Sequence, residues 1–118
     1  MRVLKEILDC HKEFTKERDW DQFLSPKNVS MALSKETSEL IEIFTWITEK
    51  QSKNLDQKTL QNVKDEIADV FLYLIRLSDL LDIDIIQASK DKMVKNIEKH
   101  DILKSLENTK SLKDFNKD

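Results

Sequence analysis

The chain has 118 residues, 36% of them charged and 39% hydrophobic, with a formal net charge of −3, which fits one domain with a modest core. It contains no glycine and a single proline, which argues against hairpin-rich folds and glycine-rich phosphate loops and predicts helices joined by short polar connections. The acidic balance offers no broad basic surface for a nucleic acid polymer, and no apolar run is long enough to span a bilayer. Cys10 is the lone cysteine, so no intrachain disulfide forms, and Met1–Glu6 has no signal-peptide core. The expected location is cytoplasmic, with no membrane partner.

Val3, Leu4, Ile7, Leu8, His11 and Phe14 recur at helical spacing and predict a first helix over about 2–18. Arg18–Ser25 breaks that pattern and reads as a connection carrying aromatic side chains, Trp20 among them. Ser25-Pro26 is a start signal, with serine as N-cap and proline at the first helical position. The second helix is expected to run to about Glu49, followed by a polar turn over about 50–56, in which Asp56 caps a third helix. Between Ile67 and Leu77 that helix is apolar on nearly every side, which predicts burial all round and a second subunit to complete it. Asp84 with Gln87 reads as a capping box that opens a fourth helix to about His100. The expected organisation is an all-α helical bundle over 1–101 with four main helices, oligomeric, and a polar tail over 102–118 that forms a short helix or stays mobile.

Carboxylates carry the chemistry. Glu36 and Glu39 lie three apart on the second helix, as Glu66 and Asp69 do on the third, so each pair shares a helical face. Glu36 falls inside the stripe marked by Val29, Leu33, Leu40, Ile43 and Ile47. Glu66, Asp69 and Tyr73 lie beside the steps Leu60, Val63, Ile67, Val70, Leu74, Leu77 and Leu81. Carboxylates on a core-facing side are costly without a neutralising partner, so the four together predict a cation. No histidine stands three residues after any of these glutamates, as it does in di-iron bundles, and an all-oxygen set favours Mg²⁺ or Mn²⁺. Glu42, one turn beyond Glu39, reads either as a further ligand or as surface. Lys92 and Asn96 lie four apart on the fourth helix, Asn96 on its apolar side, and could both meet a phosphate-bearing ligand. Trp20 and Trp46 read either as core or as platforms for stacking a base, and His11 as a histidine on an apolar face.

Five stretches share an order with a known family: His11–Phe23, Pro26–Val29, Leu33–Trp46, Asp65–Leu74 and Lys92–Asn96. Over about residues 1–100 the chain resembles the MazG-like nucleotide pyrophosphohydrolases, most of all the small dCTP pyrophosphatase branch. That resemblance implies an all-α NTP pyrophosphatase fold, assembled as a dimer or tetramer. It implies hydrolysis of a nucleoside triphosphate between the α and β phosphates to the monophosphate and pyrophosphate, with dCTP or a modified pyrimidine deoxynucleotide as substrate. It also implies that Glu36, Glu39, Glu66 and Asp69 hold Mg²⁺, that Lys92 and Asn96 contact phosphate and sugar, that Tyr73 lines the pocket, and that His11, Trp20 and Trp46 recognise the base. The chain departs from the pattern at Ser38, where glycine is usual, and at Lys99-His100-Asp101, where a basic residue and Tyr-Pro are usual. The alternatives are a pyrophosphatase for dUTP or another base, a nucleotide-binding helical module without hydrolysis, and a plain bundle with solvated acidic faces.

Overall fold

The structure, a computed structural model, describes residues 2–100. It is all-helical: α1 (Arg2–Glu17), a 3₁₀ turn (Asp21–Phe23), α2 (Pro26–Thr45), α3 (Glu49–Ser52), α4 (Gln57–Leu80) and α5 (Ile85–Lys99). The predicted tail over 102–118 lies outside the described residues. The chain divides into two compact units at Ile83–Asp84, so α1–α4 and the segment containing α5 are each described separately.

In the first unit α4 is the spine, with α2 and α1 both packed against it. The helix starts follow the expected caps. The Asn28 N–H donates to Ser25 Oγ at 3.1 Å with Pro26 at the first helical position, and the Thr59 N–H donates to Asp56 Oδ1 at 2.7 Å. The second helix is shorter than its apolar pattern predicts. It ends at Thr45 with Trp46 as C-cap, and the expected polar turn holds the one-turn helix α3, opened by a complete capping box between Thr48 and Gln51. Two local bonds there, Gln51 N–H to Thr48 Oγ1 at 3.1 Å and Thr48 N–H to Gln51 Oε1 at 2.9 Å, start a new helix after the break. The capping box expected at α5 is half formed: the Gln87 N–H donates to Asp84 Oδ1, but the Gln87 side chain donates to Asp91 instead.

Without glycine, the two sharp helix ends use aspartate. Asp19 (φ 56°) and Asp82 (φ 57°) take the left-handed conformation that glycine usually supplies. At α1 the Trp20 N–H returns to the Thr15 carbonyl at 2.9 Å and the Asp19 N–H to Lys16 at 3.1 Å; at α4 Ile83 returns to Ser78 at 2.8 Å and Asp82 to Asp79 at 3.1 Å. Both are Schellman closures, and the first packs Trp20 edge-on against Phe14, with ring centroids 5.4 Å apart.

The apolar steps of α4 resolve into two stripes. Val63 is buried, and Val70 and Leu77 are partly so, on the side that also carries Glu66 and Tyr73. Leu60, Ile67, Leu74 and Leu81, seven residues apart, are exposed, and Phe71 joins them. Among the described residues only Val29, Val63 and Ile75 are buried apolar side chains, a small core for a chain of this composition. Replacing the cap by Ser25→Ala is expected to cost about 1 kcal/mol of stability, measured as a lowered urea midpoint with an unchanged denaturant slope.

Candidate active site

The site forms where α2 and α4 face one another. α2 turns Val29 fully inward, and Leu33, Glu36, Leu40 and Ile43, all partly buried, follow it along that side; this is the stripe in which the sequence places Glu36. α4 answers with Val63 and Glu66. One carboxylate oxygen from each of Glu36, Glu39 and Glu66 lies within 4.8 Å of the others. Glu36 Oε2 and Glu66 Oε2 are buried and accept no hydrogen bond among the described residues. Buried carboxylate oxygens ordinarily have donors. Three converging carboxylates, two of which also carry a buried oxygen without a donor, fit a hard divalent cation, which would supply the missing charge and coordination.

The electrostatics follow from that crowding. Glu36 is pushed up from 4.5 to about 7. Burial is the largest cause, followed by the neighbouring carboxyls of Glu39 and Glu66 and the negative charges of Glu39 and Asp69. Glu66 is also raised, again chiefly by burial, partly offset by the neighbouring Glu36 carboxyl. The two titrate as a pair. Tyr73 is raised by burial and then by the charges of Glu36 and Asp69, so this phenol stands within the field of the acidic cluster.

Asp69 lies outside the three-oxygen cluster. It lines a cavity of about 510 Å³ together with His11, Phe14, Thr15, Trp20 and Tyr73. His11 stacks on Phe14 at 6.5 Å and meets the Tyr73 ring edge-on at 6.0 Å. Its Nδ1 is buried without a partner among the described residues, and burial followed by the Arg76 charge holds the imidazole below its usual range. His11 is therefore neutral at pH 7, with one ring nitrogen a donor and the other an acceptor. Four predicted residues, His11, Trp20, Asp69 and Tyr73, thus meet around one space.

Trp46 does not join them. As the C-cap of α2 it is 86% exposed, and it lines a second cavity of about 540 Å³ with Glu39, Glu42, Ile43, Asn62, Asp65 and Glu66. Lys92 and Asn96 belong to α5, in the second unit, where Lys92 is exposed and Asn96 partly buried. Sequence reasoning missed Phe14 and Thr15 as members of the site. Phe14 is three residues after His11 on the same helical face, a signal that helical spacing contains. The Arg18 guanidinium covers the Phe14 ring at 3.7 Å from its centroid.

Glu36 yields a prediction with a definite sign. Its folded pKa lies above the ordinary carboxylate value, so in metal-free solution stability falls as pH rises between about 4.5 and 7, and the loss persists above that window. Glu36→Gln removes this penalty. The variant is expected to melt about 4 °C or more above the parent at pH 8 without divalent metal, with a smaller gain at pH 5. Added Mg²⁺ is expected to raise the parent's melting temperature and leave the variant's unchanged; differential scanning fluorimetry checks both.

Known proteins resemble this chain in sequence and in fold. The MazG-like family model matches residues 31–115, which includes both carboxylate pairs. Mouse dCTP pyrophosphatase 1 is 36% identical over 102 residues, 85% of this chain and 60% of that protein. Human dCTP pyrophosphatase 1 is 34% identical over 93 residues, 77% of this chain and 55% of that protein. The chain therefore spans no more than about 60% of the length of these curated relatives. A pyrophosphatase from Archaeoglobus fulgidus DSM 4304, known from a crystal structure, superposes with a TM-score of 0.79 at 37% identity, covering 84% of this chain and 93% of that one. With the carboxylates of α2 and α4 inside the matched region and the all-helical fold shared, the chain belongs to the MazG-like family.

Proposed function

We propose that this protein is a nucleoside triphosphate pyrophosphohydrolase that releases pyrophosphate and a monophosphate, acting on dCTP or a modified pyrimidine deoxynucleotide in nucleotide-pool house-cleaning. The observation that carries the reading is the juxtaposition on α4: Glu66 belongs to a carboxylate cluster suited to a cation, and Asp69 and Tyr73 open onto an aromatic cavity. A triphosphate with a planar base needs both at once. The relatives named dCTP pyrophosphatase 1 and the archaeal pyrophosphatase support the same reaction class.

In this reading Glu36, Glu39, Glu66 and Asp69 hold Mg²⁺ or Mn²⁺, with Asp69 entering from the cavity side. When bound, the metal supplies neutralisation of the triphosphate and acidification of the attacking water. A glutamate of the cluster that is left partly uncommitted receives the water's proton. Trp20 and Tyr73 enclose the base, and neutral His11 presents one donor or acceptor to its edge. Trp46 serves the substrate from the second cavity, beside Glu39 and Glu66, and Lys92 and Asn96 take the phosphate and sugar roles that the family resemblance implies. The exposed stripe Leu60, Ile67, Phe71, Leu74 and Leu81 supports assembly with further copies, as a dimer or tetramer. No helix among the described residues is long and apolar enough to cross a membrane, which fits a cytoplasmic enzyme.

Pyrophosphate release from a panel of canonical and modified dNTPs tests the proposal. The expected result is Mg²⁺-dependent release, abolished by EDTA, with dCTP or a modified cytosine nucleotide preferred. Glu39→Gln is expected to lower the rate by on the order of 100-fold or more, and Trp20→Ala to raise KM by about tenfold. Equal turnover of all bases would remove the specificity assignment. Silence from folded protein would favour the nucleotide-binding module.

A further inference from the structure

Arg76 has no part in the reaction as proposed, yet it is one of the most buried side chains described, 5% exposed. It stands seven residues after Asp69 and three after Tyr73, on the side of α4 that lines the aromatic cavity. Its Nη1 donates to Thr15 Oγ1 at 3.0 Å and its Nη2 to Asp21 Oδ1 at 3.2 Å. The Thr15 hydroxyl, itself 2% exposed, donates its own proton to the same Asp21 oxygen at 2.8 Å. The three groups thus close a triangle. It ties α4 to the last turn of α1 and to the 3₁₀ turn that follows Trp20.

The pairing is lopsided in a way that points to a purpose. The guanidinium is inside while the Asp21 side chain remains 48% exposed, so the charge is desolvated on one side only. Arg76 Nε is buried without a partner among the described residues. An apolar side chain at this position would pack in a core that contains only Val29, Val63 and Ile75 as buried apolar residues among those described. The arginine gives up that packing and directs both terminal nitrogens at the segment bearing Trp20. That segment needs holding: Asp19 sits at φ 56°, and the Trp20 backbone is anchored to Thr15, the residue Arg76 grips.

We infer that Arg76 is a positioning residue: with Thr15 and Asp21 it fixes the Trp20 turn against α1 and thereby sets the wall of the aromatic cavity that selects the base. The role of the cavity rests on the pyrophosphohydrolase reading. The clamp itself does not, and the two are separable by experiment.

The test uses the full chain in a Trp46→Phe background, so that fluorescence reports Trp20 alone. Arg76→Met removes the clamp and leaves an apolar side chain of similar length. The expected result is a melting temperature within a few degrees of the parent, a red-shifted Trp20 emission, and acrylamide quenching increased about twofold. In the otherwise unsubstituted chain, Arg76→Met is expected to raise KM for dCTP on the order of tenfold while kcat changes less than about threefold. A second pair avoids the core: Asp21→Ala should reproduce the fluorescence change, and Asp21→Asn, whose amide oxygen still accepts from both partners, should restore the parent signal. Unchanged Trp20 emission and quenching in both Arg76→Met and Asp21→Ala would overturn the clamp. So would equal behaviour of Asp21→Asn and Asp21→Ala. If the parent releases no pyrophosphate from any dNTP, the catalytic reading falls and the fluorescence arm still decides the role of Arg76.

Discussion

Like charges brought together by apolar packing are the constraint on which the rest of this structure depends. Val29 and Val63 pull α2 and α4 into contact, and the same helical faces carry Glu36, Glu39 and Glu66 into the space between them. Burial then turns a repulsive arrangement into a proton trap, with Glu36 raised to about 7. In metal-free solution near neutral pH such a cluster opposes folding, and a cation bound to the folded state alone would offset that cost.

α4 distributes its duties by angle. One side carries Glu66, Asp69, Tyr73 and Arg76, which in turn belong to the cation cluster, the cavity and the clamp on the preceding turn. Another side carries Leu60, Ile67, Leu74 and Leu81 at a spacing of seven, the repeat that keeps a helix seam facing a partner. Interleaved, the two sets step by threes and fours along the sequence. Sequence periodicity alone merges them into one, which is how the helix reads as apolar all round.

That merger marks where the sequence was informative and where it was not. The convergence of Glu36, Glu39 and Glu66 was legible because acids on an apolar helical face are too costly to bury without a counter-charge, whereas the same spacing places Asp69 with them and the structure does not. The caps at Ser25 and Asp56 were legible because their bonds span only three residues. The end of α2 was not, since the hydrophobic pattern runs through Ile47 while the Thr48–Gln51 capping box, a local competitor, stops the helix at Thr45. Arg76 was invisible for a different reason: its partners are 61 and 55 residues away in sequence, and one arginine within a leucine-rich helix looks like solvated surface until Thr15 and Asp21 are brought beside it.

The absence of glycine connects these observations. A chain that turns sharply without it must place an L-residue in the left-handed region, which is less favourable than glycine there and holds only where the surroundings enforce it. At Asp82 the return bond from Ile83 to Ser78 is enough to end α4. At Asp19 the same motif is reinforced by the Phe14–Trp20 edge contact, by Arg18 over Phe14, and by Arg76 reaching across from α4. The two turns share one backbone solution but differ in how much side-chain support surrounds them. The extra support falls where an indole borders the cavity beside Asp69, which is what a positioning role for Arg76 requires.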